Sequence, residues 1–144
     1  MFLTKGHGTH HHRLQSFELA LRNAGIASVN LVNVSSIFPP NCELISRKKG
    51  VELLKPGEIT YCVLSHIHTK DPGNIGASIG VAIPDKASSY GYIAEYHGKN
   101  ESEESLRNVV EDLAILMLAT TKGDCKNQFS SDRKSTRLNS SHYS

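Results

Sequence analysis

Leu14, Phe17, Leu21 and Ala24 recur at three- and four-residue spacing ahead of Gly25. This predicts an amphipathic helix over residues 13–24, stopped by a glycine in the left-handed conformation. The run Val29-Asn30-Leu31-Val32-Asn33-Val34 is rich in β-branched residues and predicts a strand over 28–34 leading into a turn. Pro39-Pro40 closes that segment, because neither proline can donate to a ladder. Further strands are expected over 42–46, 58–69, 75–83 and 90–96, with a turn of helix at 50–54. Turns are expected at Lys55-Pro56-Gly57-Glu58 and Asp71-Pro72-Gly73-Asn74. Leu106, Val110, Leu113 and Met117 make one apolar stripe, which predicts a long helix over 101–121. Asn100 is its expected cap, with Glu103 at the third position. Antiparallel-looking strands flanked by two helices, without a regular βαβ alternation, place the chain in the α+β class. The expected architecture is a layered αββα-type sandwich of mainly antiparallel strands with flanking helices.

The chain has 144 residues, the size of one domain. Its longest apolar stretches, 75–83 and 113–119, fall short of the roughly 18 residues that a spanning helix needs. Met1-Phe2-Leu3-Thr4-Lys5 lacks the basic, apolar and cleavage regions of a secretory leader, so a cytoplasmic location is the expectation. Cys42, Cys62 and Cys125 are odd in number, lack C-x-x-C spacing, and read as free thiols. The formal charge of +2 comes from residues 132–144, where Arg133, Lys134 and Arg137 face Asp132 alone. A neutral remainder argues against a nucleic-acid partner, which would need a basic face for phosphate contacts.

Residues 132–142, Asp-Arg-Lys-Ser-Thr-Arg-Leu-Asn-Ser-Ser-His, match residue for residue the translation of a common short-read sequencing adapter. The expected organisation is therefore a domain over 1–123, incomplete at its C-terminus, followed by a non-native or disordered tail over 124–144.

The segment Asn23-Ala-Gly-Ile-Ala-Ser-Val-Asn-Leu-Val-Asn-Val-Ser-Ser-Ile-Phe-Pro-Pro40 closely resembles the self-processing region of pyruvoyl-dependent arginine decarboxylases. The likeness continues in order through Leu44-Ile-Ser46, Leu54-Lys-Pro-Gly57, Ala77-Ser-Ile-Gly-Val-Ala-Ile-Pro84, Gly91-Tyr-Ile-Ala-Glu-Tyr96 and Glu111-Asp-Leu-Ala114. A Ser-Ser pair alone is a weak signal. Asn-x-x-x-Val-Ser-Ser-Ile-x-Pro-Pro followed by a Glu-Tyr strand is a specific one.

The resemblance implies cleavage between Ser35 and Ser36, with Ser36 becoming a covalent pyruvoyl group, and decarboxylation of L-arginine to agmatine. In such a reaction the Ser36 hydroxyl attacks the Ser35 carbonyl, and the resulting ester is lost by β-elimination. That attack needs a strained or polarised peptide and an oxyanion partner. Asn30 stands where the family has an asparagine that positions or stabilises this step. Glu95 maps onto the family's proton donor; by itself it reads as a strand-edge carboxylate, and desolvation would raise its pKa. Glu18 aligns with an acidic residue facing the guanidinium, a group that a carboxylate can bind through two parallel hydrogen bonds. Ala27, Val29 and Ser35 are expected to line the same substrate pocket. The resemblance also implies a homotrimer or a dimer of trimers, with the active site between subunits. Two other readings stay open: a non-processing, non-catalytic relative that oligomerises, and a pyruvoyl decarboxylase for another amino acid.

His7, His10, His11 and His12 invite a metal reading, but neighbours in a run cannot all face one ion and no partner stands at ligand spacing. No metal site is expected. His66 and His68 read as solvent-facing side chains on one strand face, and His97 is close enough in sequence to influence Glu95. Gly6-x-Gly8 lacks the surrounding fingerprint of a phosphate cradle.

Overall fold

The computed structural model describes residues 1–121, so the tail expected over 124–144 lies outside the described residues. Its elements are α1 (Arg13–Ala24), β1 (Asn30–Asn33), β2 (Ile37–Phe38), α2 (Arg47–Glu52), β3 (Ile59–Cys62), β4 (Ile75–Ala82), β5 (Gly91–Lys99) and α3 (Glu103–Thr121). The α+β sandwich expected from the sequence is the fold observed. A three-stranded antiparallel sheet, ordered β2-β5-β4, carries α3 on one face, and β1 and β3 form a separate two-stranded sheet. The β1-β3 pair runs parallel, with Asn30 opposite Ile59 and Asn33 opposite Cys62.

The main core forms on both faces of β4 and β5. On the helix side Ala82, Ala94, Val110 and Ala114 pack together. On the opposite side Phe38, Val81 and Ile93 form a cluster joined by Leu3, Cys42, Leu44 and Val63. Small residues on β4 let α3 lie close, and the buried Ser78 hydroxyl sits 3.3 Å from both the Leu106 and Tyr96 carbonyls. Leu106 is 1% exposed. Leu106→Ala is therefore expected to cost about 2–5 kcal/mol, the range for a buried leucine whose cavity does not collapse. Urea unfolding followed by circular dichroism checks this; a loss below 1 kcal/mol would show that α3 does not anchor the sheet.

Helix α1 ends as the sequence predicts: Gly25 has φ 80° and its N–H bonds back to the Leu21 and Arg22 carbonyls. No strand lies directly beneath α1. Its neighbour is the N-terminal segment, where a Cβ at Gly6 or Gly8 would fall 1.9 Å from the Ala20 oxygen or 2.2 Å from the Ser16 oxygen. Close backbone approach is thus the use of the Gly6-x-Gly8 pair.

Several expected elements differ. The strand expected over 58–69 ends at Cys62, because its partner β1 turns away; the Val34 N–H bonded to the Cys62 carbonyl extends that pairing one step beyond β1. Residues 42–46 form no strand; the Glu43 carbonyl accepts from the Met1 amino group and the Ile45 N–H donates to the Met1 carbonyl. β2 was not expected at all. Asn100 does not cap α3: it has φ 57° and its Oδ1 accepts from the Asn74 N–H across the end of the β4-β5 hairpin. Ser102 takes the capping role, accepting from the Ser105 N–H at 3.1 Å. Leu113 is 36% exposed, since the buried arc of α3 centres on Val110 and Ala114.

Candidate active site

Ser35 and Ser36 lie where the chain passes from one sheet to the other. Before them, β1 is paired with β3, and the Val34 N–H donates to the Cys62 carbonyl at 2.9 Å. After them, β2 is paired with β5, with Ile37 opposite Tyr92. The Ser36 carbonyl accepts from the Ile93 N–H at 2.8 Å, and the Ser35 carbonyl accepts from the Ile37 N–H at 2.9 Å. The second bond closes a three-residue turn around Ser36. Neither serine has a positive φ, so the backbone strain anticipated for this peptide is not a left-handed residue; among the described non-glycine residues only Asn41 and Asn100 are left-handed. Polarisation of the Ser35 carbonyl is the feature present instead.

Two residues beyond Ile93 on β5 stands Glu95, on the same strand face as Ile93 and His97. Loss of hydration raises its carboxyl pKa from the usual 4.5, against the opposing pull of nearby His66 and His97. Cys62, at the end of β3, faces the same carboxylate: burial first, and then Glu95, push its thiol upward. His66 packs its ring 5.7 Å from Phe17, which ties α1 to the segment flanking Glu95.

The remaining sequence candidates are placed differently. The Asn30 carboxamide donates to the Gly57 carbonyl at 2.8 Å, holding the turn before β3. Glu18 is engaged on its own helix, in an ion pair with Arg22 and accepting from the Gln15 amide. Ala27 is exposed and Val29 half-buried in the connection from α1 to β1. Cys62, His66 and the Ile37 N–H were not singled out for this site from the sequence. Cys62 and His66 are revealed only by a long-range neighbour, Glu95, whereas the Ile37 N–H bonds two residues back in a turn that the side chains do not spell out.

Neighbouring rings among His10, His11 and His12 lie 4.2 Å apart and tilted to one another. His66 and His68 are solvent-facing, but on an irregular segment rather than a strand. A cavity of about 370 Å³ is lined by His10, His11, Arg13, His68, Lys70 and Lys99 together with other residues, and none of Ser36, Glu95, Asn30 or Glu18 borders it. Among the described residues no group of three or more His, Cys, Asp or Glu side chains is placed to hold a metal ion. Cys42 and Cys62 are free thiols. No helix among the described residues is long and apolar enough to cross a membrane.

The family model described as pyruvoyl-dependent arginine decarboxylase matches residues 1–143. The chain belongs to that family. It is 53% identical over 123 residues to the pyruvoyl-dependent arginine decarboxylase of Methanococcoides burtonii, covering 85% of this chain and 68% of that one. It is 54% identical over 123 residues to pyruvoyl-dependent arginine decarboxylase 2 of Methanosarcina acetivorans, covering 85% and 67%. A bacterial relative, the probable pyruvoyl-dependent arginine decarboxylase of Chlorobium limicola, is 52% identical over 124 residues, covering 85% and 68%. Ser36 is half-buried, and the carbonyl before it is hydrogen-bonded beside the strand that carries Glu95, a setting that a covalent keto group at this position would fit.

Proposed function

We propose that the chain is a self-processing decarboxylase that cleaves itself between Ser35 and Ser36, converts Ser36 to a pyruvoyl group, and turns L-arginine into agmatine and carbon dioxide. The observation that carries this reading is the position of the Ser35–Ser36 peptide, clamped by two backbone hydrogen bonds at the sheet handover beside Glu95. A pyruvoyl group supplies an electron-withdrawing carbonyl that accepts the electron pair released when carbon dioxide departs. Glu95 holds the proton that replaces the carboxylate, and the desolvation that raises its pKa keeps that proton in place at higher pH. Asn30 supports processing by holding β1 to the Gly57 turn. Glu18 is assigned to the substrate's guanidinium, for which it must exchange its present ion pair with Arg22 for the ligand. Ala27, Val29 and Ser35 line the same pocket.

The site is proposed to be completed between subunits of a homotrimer or a dimer of trimers. One face of the β1-β3 sheet supports this, with Val32, Val34, Ile59 and Tyr61 all exposed, from 39% to 71%. The location is read as cytoplasmic. Residues 1–123 are read as carrying this chemistry and 124–144 as a non-native tail, on the strength of the adapter match at 132–142.

Intact-mass measurement combined with parallel assays of arginine, ornithine, lysine and aspartate tests the reading. The expected result is two polypeptides broken at Ser35/Ser36 and carbon dioxide release from arginine above the other three. A single uncut chain would favour a non-processing relative. Cleavage with preference for another amino acid would retain the chemistry and overturn the substrate.

A further inference from the structure

We infer that the backbone N–H of Ile37 is the oxyanion donor for self-cleavage, so that the catalytic group for the first processing step is a main-chain amide. This rests on the self-processing reading. The Ser35 carbonyl is the group that Ser36 must attack, and its oxygen accepts a 2.9 Å hydrogen bond from the Ile37 N–H. In the attack the Ser36 Oγ–C bond forms while the carbonyl π pair moves onto the Ser35 oxygen. Collapse restores the carbonyl and breaks the C–N bond, and the proton lost from Oγ ends on the Ser36 nitrogen. The negative charge of the intermediate therefore develops on the one atom that already has a donor aimed at it. A neutral hydrogen bond becomes charge-assisted at that moment, which is how an oxyanion donor lowers a barrier.

Three further observations support the assignment. The Ile37 N–H lies at a position that makes no bond to β5, since the β2-β5 ladder bond here runs from the Ile93 N–H to the Ser36 carbonyl, and it is free to bond Ser35. That ladder bond anchors the residue between donor and acceptor, so the turn is held on both sides. The Asn30 carboxamide, the alternative donor suggested by the sequence, directs an N–H to the Gly57 carbonyl, whereas the Ile37 N–H is the group bonded to the Ser35 oxygen.

The test replaces the Ile37 amide with an ester by translating the full chain with the α-hydroxy analogue of isoleucine at that codon. The change removes one N–H and leaves every side chain in place. Cleavage is followed by intact mass over time, which separates a fragment ending at Ser35 from simple hydrolysis of the new ester after Ser36. The same replacement at Ile93 is the comparison, because it removes the β2-β5 bond at Ser36 without touching the attacked carbonyl.

The Ile37 ester is expected to process about 100-fold or more slowly than the unmodified chain, the usual loss on removing one oxyanion donor. The Ile93 ester is expected to stay within about tenfold of the unmodified chain, since it weakens anchoring alone. Unchanged processing in the Ile37 ester, or equal slowing in both, would overturn the inference while leaving self-cleavage standing. Failure of the unmodified chain to cleave would instead sink the reading on which it rests.

Discussion

Glu95→Gln is expected to lower kcat for arginine by about 100- to 10,000-fold, the usual contribution of a positioned general acid, while cleavage at Ser35/Ser36 continues. The two effects separate because Glu95 sits on β5 beyond the Ile93 contact, whereas the scissile peptide is held by main-chain bonds that the substitution leaves alone. Glutamine keeps the shape and hydrogen-bonding capacity of the side chain but has no proton to give. The pH profile adds a second signature. Desolvation raises the Glu95 pKa above 4.5, so the group remains protonated to higher pH than an ordinary glutamate. A proton donor works in its protonated form, so kcat is expected to fall as pH rises through this elevated value. In stability terms the sign is the same: the folded state holds the proton more tightly than the unfolded one, which favours folding at low pH and loses that advantage as pH rises past the folded pKa. The Gln variant should lack the alkaline limb. Steady-state carbon dioxide release across the pH range measures both features, and a Gln variant with wild-type kcat and the same limb would remove Glu95 from the mechanism.

Ser36→Ala is expected to abolish processing altogether. Without Oγ there is no nucleophile to attack the Ser35 carbonyl, and the hydrogen bond from the Ile37 N–H cannot substitute for one. Intact mass should give one uncut chain, and borohydride in the presence of an amine should trap no carbonyl. The fold should survive, because the bonds at this position are made by the backbone: Ile37 N–H to Ser35, and Ile93 N–H to Ser36. Circular dichroism melting alongside the mass measurement distinguishes a blocked reaction from a collapsed domain. Cleavage of the Ala variant at the same peptide bond would require another nucleophile and would end the proposal.

Elements whose signal is local were legible. The α1 stripe and its Gly25 stop, the β4-β5 hairpin and the Leu106–Val110 face of α3 all appear where spacing and capping chemistry put them. Errors fall where the deciding partner is far away in the chain. The segment after Cys62 has strand-like residues but loses its partner when β1 turns off, and Asn100 is drawn to Asn74 across a hairpin instead of capping the helix that follows it. At the candidate site, Ser36 and Glu95 are proposed on the family resemblance. The surroundings that raise the Glu95 pKa were only partly legible: His97 is two residues away, whereas His66 and the neighbouring Cys62 reach Glu95 from another segment.

By itself the amino-acid sequence supplied, through its family resemblance, the candidates for chemistry: a Ser-Ser pair ahead of two prolines, a carboxyl in an apolar strand and a carboxylate on the first helix. Helix periods, caps and turns act over a few residues, and so they are written where they operate. Only the tertiary structure decided that the serines bridge two sheets and that the Ser35 oxygen meets a donor there. The pairing of β2 with β5 joins distant parts of the chain, and its geometry comes from packing of Phe38, Val81 and Ile93, which no short window of sequence contains.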